Sequence, residues 1–171
     1  MKLIIVSDNH GDTYYMEEIL SIYENEVDSW IHCGDSEMKE NHPLWQNYKT
    51  VIGNMDYATG FELERLVEFK ENKFLVVHGH KHAVKQSNEE MKKRAKEEGV
   101  DIVFFGHTHI PSVEQEDGIL FINPGSLTQP RDRNVGTYLL MDLDRDSEEV
   151  SLVFYDQNHN KLEELSASYS L

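Results

Sequence analysis

The sequence predicts an α/β fold in which two mixed β-sheets pack face to face with helices outside. Over the first two-thirds of the chain, short apolar β-branched runs alternate with polar loops and amphipathic segments, the strand–loop–helix–strand order of a parallel sheet. The pattern then changes to closely spaced strands joined by turns, as in antiparallel hairpins. No Pro/Gly/Ser-rich linker interrupts the 171 residues, so a single domain over 1–171 is expected.

Residues 3–6 form a continuous apolar run that suits a strand buried on both faces. A polar loop over residues 8–11 follows. Met16, Ile19, Leu20 and Tyr23 have helical spacing and predict a helix over 12–24. Residues 30–33 read as a second strand ended by Gly34-Asp35, and 50–52 as a third ended by Gly53-Asn54. Residues 74–77 make the next strand, ended by His78-Gly79. A helix is expected over 88–98, with Ser87 and Glu90 at capping-box spacing and Gly99 as its stop. The strand over 102–105 ends in Gly106-His107. Residues 112–116, 119–122, 136–143 and 150–155 read as antiparallel strands, with turns at Asp117-Gly118 and around 144–147.

The composition, 39% hydrophobic and 28% charged, allows a real core without disulfides. The net charge of −16, from 32 acidic against 16 basic side chains, should repel long nucleic acids and anionic membranes. A small phosphate ester remains compatible, because divalent cations would reverse the charge locally. Cys33, the only cysteine, lies in an apolar strand and is expected to be a buried, inert thiol. The N-terminal apolar stretch is too short for a signal peptide or a membrane span, which makes a cytoplasmic location the expectation. A homo-oligomer is left open.

One regularity organises the chain. Five apolar strands each end in a polar group able to bind a metal: Asp8 and His10, then Asp35, Asn54, His78, and finally His107 and His109. Ligands in α/β sheets bind beyond the carboxyl ends of strands, so these seven side chains should meet in one crevice. Carboxylate, amide and imidazole donors without thiolate suit divalent transition ions, and a carboxylate such as Asp35 can bridge two of them. Each piece alone is ordinary: Gly34-Asp35 or Gly53-Asn54 by itself is usually a turn. His107 and His109 can point the same way only if their loop is strand-like. His32, inside a strand, is expected to be a satisfied core residue. His42, His82 and His159 lie in polar segments and are expected to face solvent; His80 is left open.

The ordered set Asp8-Asn9-His10-Gly11, Gly34-Asp35, Gly53-Asn54-Met55-Asp56, His78-Gly79-His80 and Gly106-His107-Thr108-His109, with the later Asn123-Pro124-Gly125-Ser126, resembles the calcineurin-like metallophosphoesterases. The small prokaryotic phosphodiesterase branch without a cap domain is the nearest likeness, and it covers nearly the whole chain. The resemblance implies a metallophosphoesterase-type four-layer sandwich. It implies that Asp8, His10 and His109 hold one ion, that Asn54, His78 and His107 hold the other, and that Asp35 bridges them. Asp35, Asn54, His78 and Asp56 form the implied catalytic set. Manganese is the metal expected first, with iron, zinc or nickel also used in the family, and the implied nucleophile is a metal-bound hydroxide. Many members carry a His after the Gly-Asn pair, thought to protonate the leaving oxygen; Met55 stands there and cannot. Asp56 is then either a support for the site, a replacement acid or a surface turn residue.

The absence of a cap implies an open site for small phosphodiesters, with Tyr14, Tyr57, Arg131 and Arg133 either touching substrate or simply solvated. The rival reading is a non-catalytic interaction scaffold, as for the retromer subunit of this fold. A mononuclear zinc hydrolase would need only three protein ligands, fewer than the seven present.

Overall fold

The computed structural model describes residues 1–171. In chain order it has β1 (Lys2–Val6), α1 (Tyr14–Tyr23), β2 (Ser29–His32), a short 3-10 turn (Pro43–Gln46), β3 (Tyr48–Thr50), β4 (Glu64–Phe69), β5 (Asn72–Val77), α2 (Glu89–Glu98), β6 (Ile102–Phe104), β7 (Ser112–Glu116), β8 (Ile119–Asn123), β9 (Thr137–Asp144), β10 (Glu149–Asp156) and β11 (Ala167–Ser170). One sheet has the order β11-β10-β9-β1-β2-β3 and the other β4-β5-β6-β8-β7. Both are mixed: β1, β2 and β3 run parallel while β9 joins β1 antiparallel, and β5, β6 and β8 run parallel between antiparallel edges β4 and β7.

Strand alternation explains the layers. Leu3 and Ile5 of β1 point inward with Leu139, Met141, Leu152 and Phe154, and meet Phe74, Val76, Phe104, Leu120 and Ile122 of the other sheet in the central core. Ile4 and Val6 point the other way and pack under Met16, Ile19 and Tyr23 of α1. On the far side, Leu75, Val77, Val103 and Phe121 pack against Met91 and Ala95 of α2. Each central strand is therefore buried on both faces, which is why it reads as an unbroken apolar run. The result is the expected four layers, helix–sheet–sheet–helix.

Several details differ from the sequence reading. β4 and β11 were not foreseen. Both are edge strands, half-exposed and polar, and carry no buried-strand signature. α1 starts at Tyr14, because the Asp12 carboxylate accepts the Tyr14 N–H at 3.0 Å and holds residues 12–13 in a turn. The Ser87/Glu90 capping box does not form. Asn88 is the N-cap without a side-chain cap bond, whereas Gly99 (φ 66°) closes α2 as expected. The Asp117-Gly118 turn forms with both residues at positive φ.

Three histidines expected in solvent are instead engaged. His82 is buried and bonds the Glu64 carboxylate at 2.8 Å; the unforeseen strand β4 brings that carboxylate to it. His159 is half-buried between the Tyr138 hydroxyl and Glu18, at 2.9 Å from each. His42 caps the 3-10 turn by accepting the Leu44 N–H. Cys33 is fully buried, which pushes its thiol pKa well up, in keeping with an inert group.

Candidate metal centre

The loops after β1, β2 and β3 of one sheet and β5 and β6 of the other open into one crevice. They are laced together by backbone bonds: Asp8 N–H to Gly34 O (3.0 Å), His10 N–H to Asp35 O (3.1 Å), Gly11 N–H to Ser36 O (2.7 Å) and Gly106 N–H to His78 O (3.0 Å). The tight turns force an uncommon backbone. Asp8, His10, Asp35, Glu37, His107 and His109 all have positive φ, between 45° and 69°. Non-glycine residues keep such conformations only where the surroundings impose them, typically at functional sites.

All seven strand-end residues come together, in two adjoining groups. Ligand atoms of Asp8, His10, Asp35 and His109 lie within 4.8 Å of one another. Asp8 Oδ1 is 3.1 Å from His109 Nε2 and 3.8 Å from His10 Nε2, and the two Nε2 atoms are 3.2 Å apart. In the second group His78 Nε2 is 3.2 Å from Asp35 Oδ2 and 3.1 Å from Asn54 Oδ1, and the His107 ring lies 5.1 Å from that of His78. Asp35 thus stands in both groups. The loop carrying His107 and His109 bends instead of extending, and the His107 ring neighbours His78 while the His109 ring neighbours His10.

The hydrogen bonds fix what this crevice fits. His78 Nδ1 faces the Cys33 carbonyl and His109 Nδ1 the Gln129 carbonyl, both at 2.7 Å, while His10 Nδ1 faces the Glu37 carboxylate at 2.9 Å. Carbonyl and carboxylate oxygens accept, so each Nδ1 donates, and the neutral ring then aims its Nε2 lone pair into the crevice. Asp8 Oδ1 is buried there with no hydrogen-bond partner. Lone pairs facing one another around an orphaned buried carboxylate oxygen fit a cation, and the oxygen and nitrogen donor set fits a divalent transition ion.

Charge in the crevice follows the same logic. Burial disfavours ionised Asp8, but the His109 ring 3.1 Å away and the charge of His78 outweigh it and lower its pKa. Burial likewise disfavours ionised Asp35, and the bond and charge of His78 hold it low. Burial opposes a charged His78, yet the bond to Asp35 and the charges of Asp8 and Asp35 raise its pKa. His107 is pushed down to about 4, by burial first and then by the neighbouring charge of His78.

Several residues beyond the seven strand-end groups support the site. His32 is indeed a buried core residue, with its pKa lowered to about 4 by burial. Its Nε2–H donates to Asn9 Oδ1 (2.8 Å) and its Nδ1 accepts the Gly34 N–H (3.0 Å), tying the Asp8–His10 loop to the Asp35 turn. Ser126 Oγ donates to Asp8 O (2.7 Å), and Asn123 Nδ2 to Gly106 O (2.9 Å), so the Asn123-Pro124-Gly125-Ser126 segment braces both sides. Glu37 had no motif signal, because its role comes from a fold-back onto His10. Asp56 accepts from Asp35 N–H (3.0 Å), Ser36 Oγ–H (3.2 Å), Glu37 N–H (2.7 Å) and Gly53 N–H (2.7 Å), which makes it a clamp between two loops.

That clamp leaves no space at Gly53, where a Cβ would run into the Asp35 carboxylate and backbone nitrogen. Gly53→Ala should therefore cost about 1–3 kcal/mol by overpacking and push Asp35 out of place. Thermal melting together with the bound-metal content of the purified variant checks this; a variant matching the wild type in both would refute the tight fit.

A cleft of about 600 Å³ lies beside the crevice between Glu37–Asn41 and Tyr57–Ala58. Tyr57 is 84% exposed at its rim and Tyr14 61% exposed. Arg133 is committed to Asp132 and Glu164, while Arg131 is exposed. No helix is long and apolar enough to cross a membrane.

Comparison with known proteins gives the family. The calcineurin-like phosphoesterase superfamily domain matches residues 1–146. A Bacillus subtilis protein named probable metallophosphoesterase YsnB is 42% identical over 171 residues, the full length of both chains. Phosphodiesterase MJ0936 of Methanocaldococcus jannaschii is 31% identical over 144 residues, 73% of this chain and 83% of its own. A crystal structure of a conserved Streptococcus pneumoniae protein, described as a predicted phosphoesterase, superposes with a TM-score of 0.94 at 33% identity, covering 99% of this chain and 97% of that one. With its strand-end donors, its two mixed sheets and these matches together, the chain belongs to the calcineurin-like phosphoesterase superfamily.

Proposed function

We propose that the chain is a dinuclear metal-dependent phosphodiesterase acting on small phosphate esters. Asp8, His10 and His109 would hold one divalent ion, and Asn54, His78 and His107 the other, with Asp35 bridging. The observation that carries this reading is the convergence of imidazole Nε2 atoms, each with its Nδ1 against a carbonyl or carboxylate oxygen, and of the orphaned Asp8 oxygen on one crevice. Manganese is the metal proposed first; iron, zinc and nickel share the donor preference. When bound, two such ions supply Lewis acidity, acidifying water near neutral pH and neutralising charge on the phosphoryl oxygens.

The chain's own residues orient and brace the site. The Nδ1–H donors hold three rings in one tautomer, and Asp56 and His32 lock the loops that carry Asp8, His10 and Asp35. The cleft beside Tyr57 offers room for one ester arm. A scaffold role has less support: phosphodiesterase-named relatives match the chain, and ligand atoms of Asp8, His10, Asp35 and His109 cluster within 4.8 Å.

The test is hydrolysis of bis(p-nitrophenyl) phosphate against p-nitrophenyl phosphate with added manganese, alongside elemental analysis. The diester should be preferred and manganese should approach two equivalents. Saturation at one equivalent would overturn the dinuclear reading, and no hydrolysis of either ester would overturn the activity.

Leaving-group protonation is the step this chain is poorly equipped for. Met55 has no proton to give, and both Asp56 oxygens are taken by donors. Rates should therefore fall steeply as leaving-group pKa rises. Met55→His should recover part of the about 10²–10⁴-fold that a positioned acid contributes, mostly on esters of poor leaving groups. A rate series over leaving-group pKa for both proteins checks this, and a flat wild-type dependence would reveal another acid.

A further inference from the structure

We infer that Glu37 is a positioning residue for His10, and that ion binding on the Asp8–His10–His109 side depends on it; the inference rests on the two-ion reading above. His78 and His109 have their Nδ1 atoms fixed by backbone carbonyls, of Cys33 and Gln129. His10 alone of these three is held by a side chain, Glu37 Oε2 at 2.9 Å. A carboxylate accepts, so this bond selects the Nδ1–H tautomer and leaves Nε2 free toward Asp8 and His109, at 3.8 and 3.2 Å.

Glu37 is placed for this by strain and by a clamp. Its backbone has φ 52°, a conformation that costs a non-glycine residue free energy and persists only where neighbours enforce it. The enforcing group is Asp56, whose Oδ1 accepts the Glu37 N–H at 2.7 Å while its other oxygen accepts the Asp35 N–H at 3.0 Å. One carboxylate thus sets both the bridging candidate and the residue that orients His10. The Glu37 side chain is only one-quarter exposed, which limits competition from water for His10. A surface carboxylate with no role would need neither the left-handed backbone nor the buried imidazole partner.

The experiment compares wild type, Glu37→Gln and Glu37→Ala. Free manganese is followed by electron paramagnetic resonance during titration, and ring ¹⁵N shifts of His10 are read in the metal-free chain at a pH where the ring is neutral. Wild type should show the Nδ1–H tautomer. Glu37→Ala should show a tautomer mixture and bind one manganese equivalent about 10–100-fold more weakly, with the other equivalent unchanged. Glu37→Gln can still accept through its amide oxygen, so it should keep the tautomer and lose only part of the affinity. The metal-free variants should melt with the wild type, separating this role from a general loss of fold. Glu37→Ala with the wild-type His10 shifts and both wild-type affinities would overturn the inference while leaving the two-ion reading intact. A wild type that binds no manganese would overturn that reading, and with it any role of Glu37 in ion binding, whatever the His10 shifts show.

Discussion

Replacing Asp35 with Asn is expected to remove nearly all activity while the chain stays folded. Asparagine keeps the shape and can still accept the Met55 N–H that Asp35 Oδ1 accepts at 2.8 Å. It loses the negative charge that sits 3.2 Å from His78 Nε2 and belongs to both donor groups. Substitutions one layer further out at metal sites typically cost about 10–100-fold, so loss of a bridging charge should exceed that range. The check is turnover of bis(p-nitrophenyl) phosphate at matched metal content, with circular dichroism as the control for folding. Near-normal turnover would refute the bridging role.

Chelation should lower the melting temperature by about 5–10 °C. A ligand present at 100 times its dissociation constant stabilises the native state by about 2.7 kcal/mol. For a chain of this size each kcal/mol moves the midpoint by about 2–4 °C. The direction follows from the crevice itself: Asp8 Oδ1 is buried with no hydrogen-bond partner and the His10 and His109 Nε2 atoms face each other at 3.2 Å. Scanning calorimetry with EDTA and then with excess manganese measures the shift. A transition that neither addition moves would count against tight binding to a preformed site.

Much of the fold was legible because burial leaves a signature. β1, β5 and β6 are apolar on both faces and read as strands without ambiguity, whereas β4 and β11 lie at sheet edges, where half of each strand meets water and the pattern fades. The misjudged histidines follow from that gap. His82 reads as polar surface until β4 supplies Glu64, and His159 until the fold places it between Tyr138 and Glu18.

The sequence by itself singled out seven Asp, Asn and His residues, each just after an apolar strand, in an order that one crevice can gather. It could do so because strand ends are local features and their chemistry is written in single residues. Only the tertiary structure decided which way each imidazole turns and what braces it. Those outcomes depend on bonds between residues far apart in the chain, such as Asp8 to Gly34, His78 to Cys33 and His109 to Gln129. They depend also on left-handed backbone at Asp8, His10, Asp35 and Glu37, which costs a non-glycine residue free energy and persists only where the surroundings impose it.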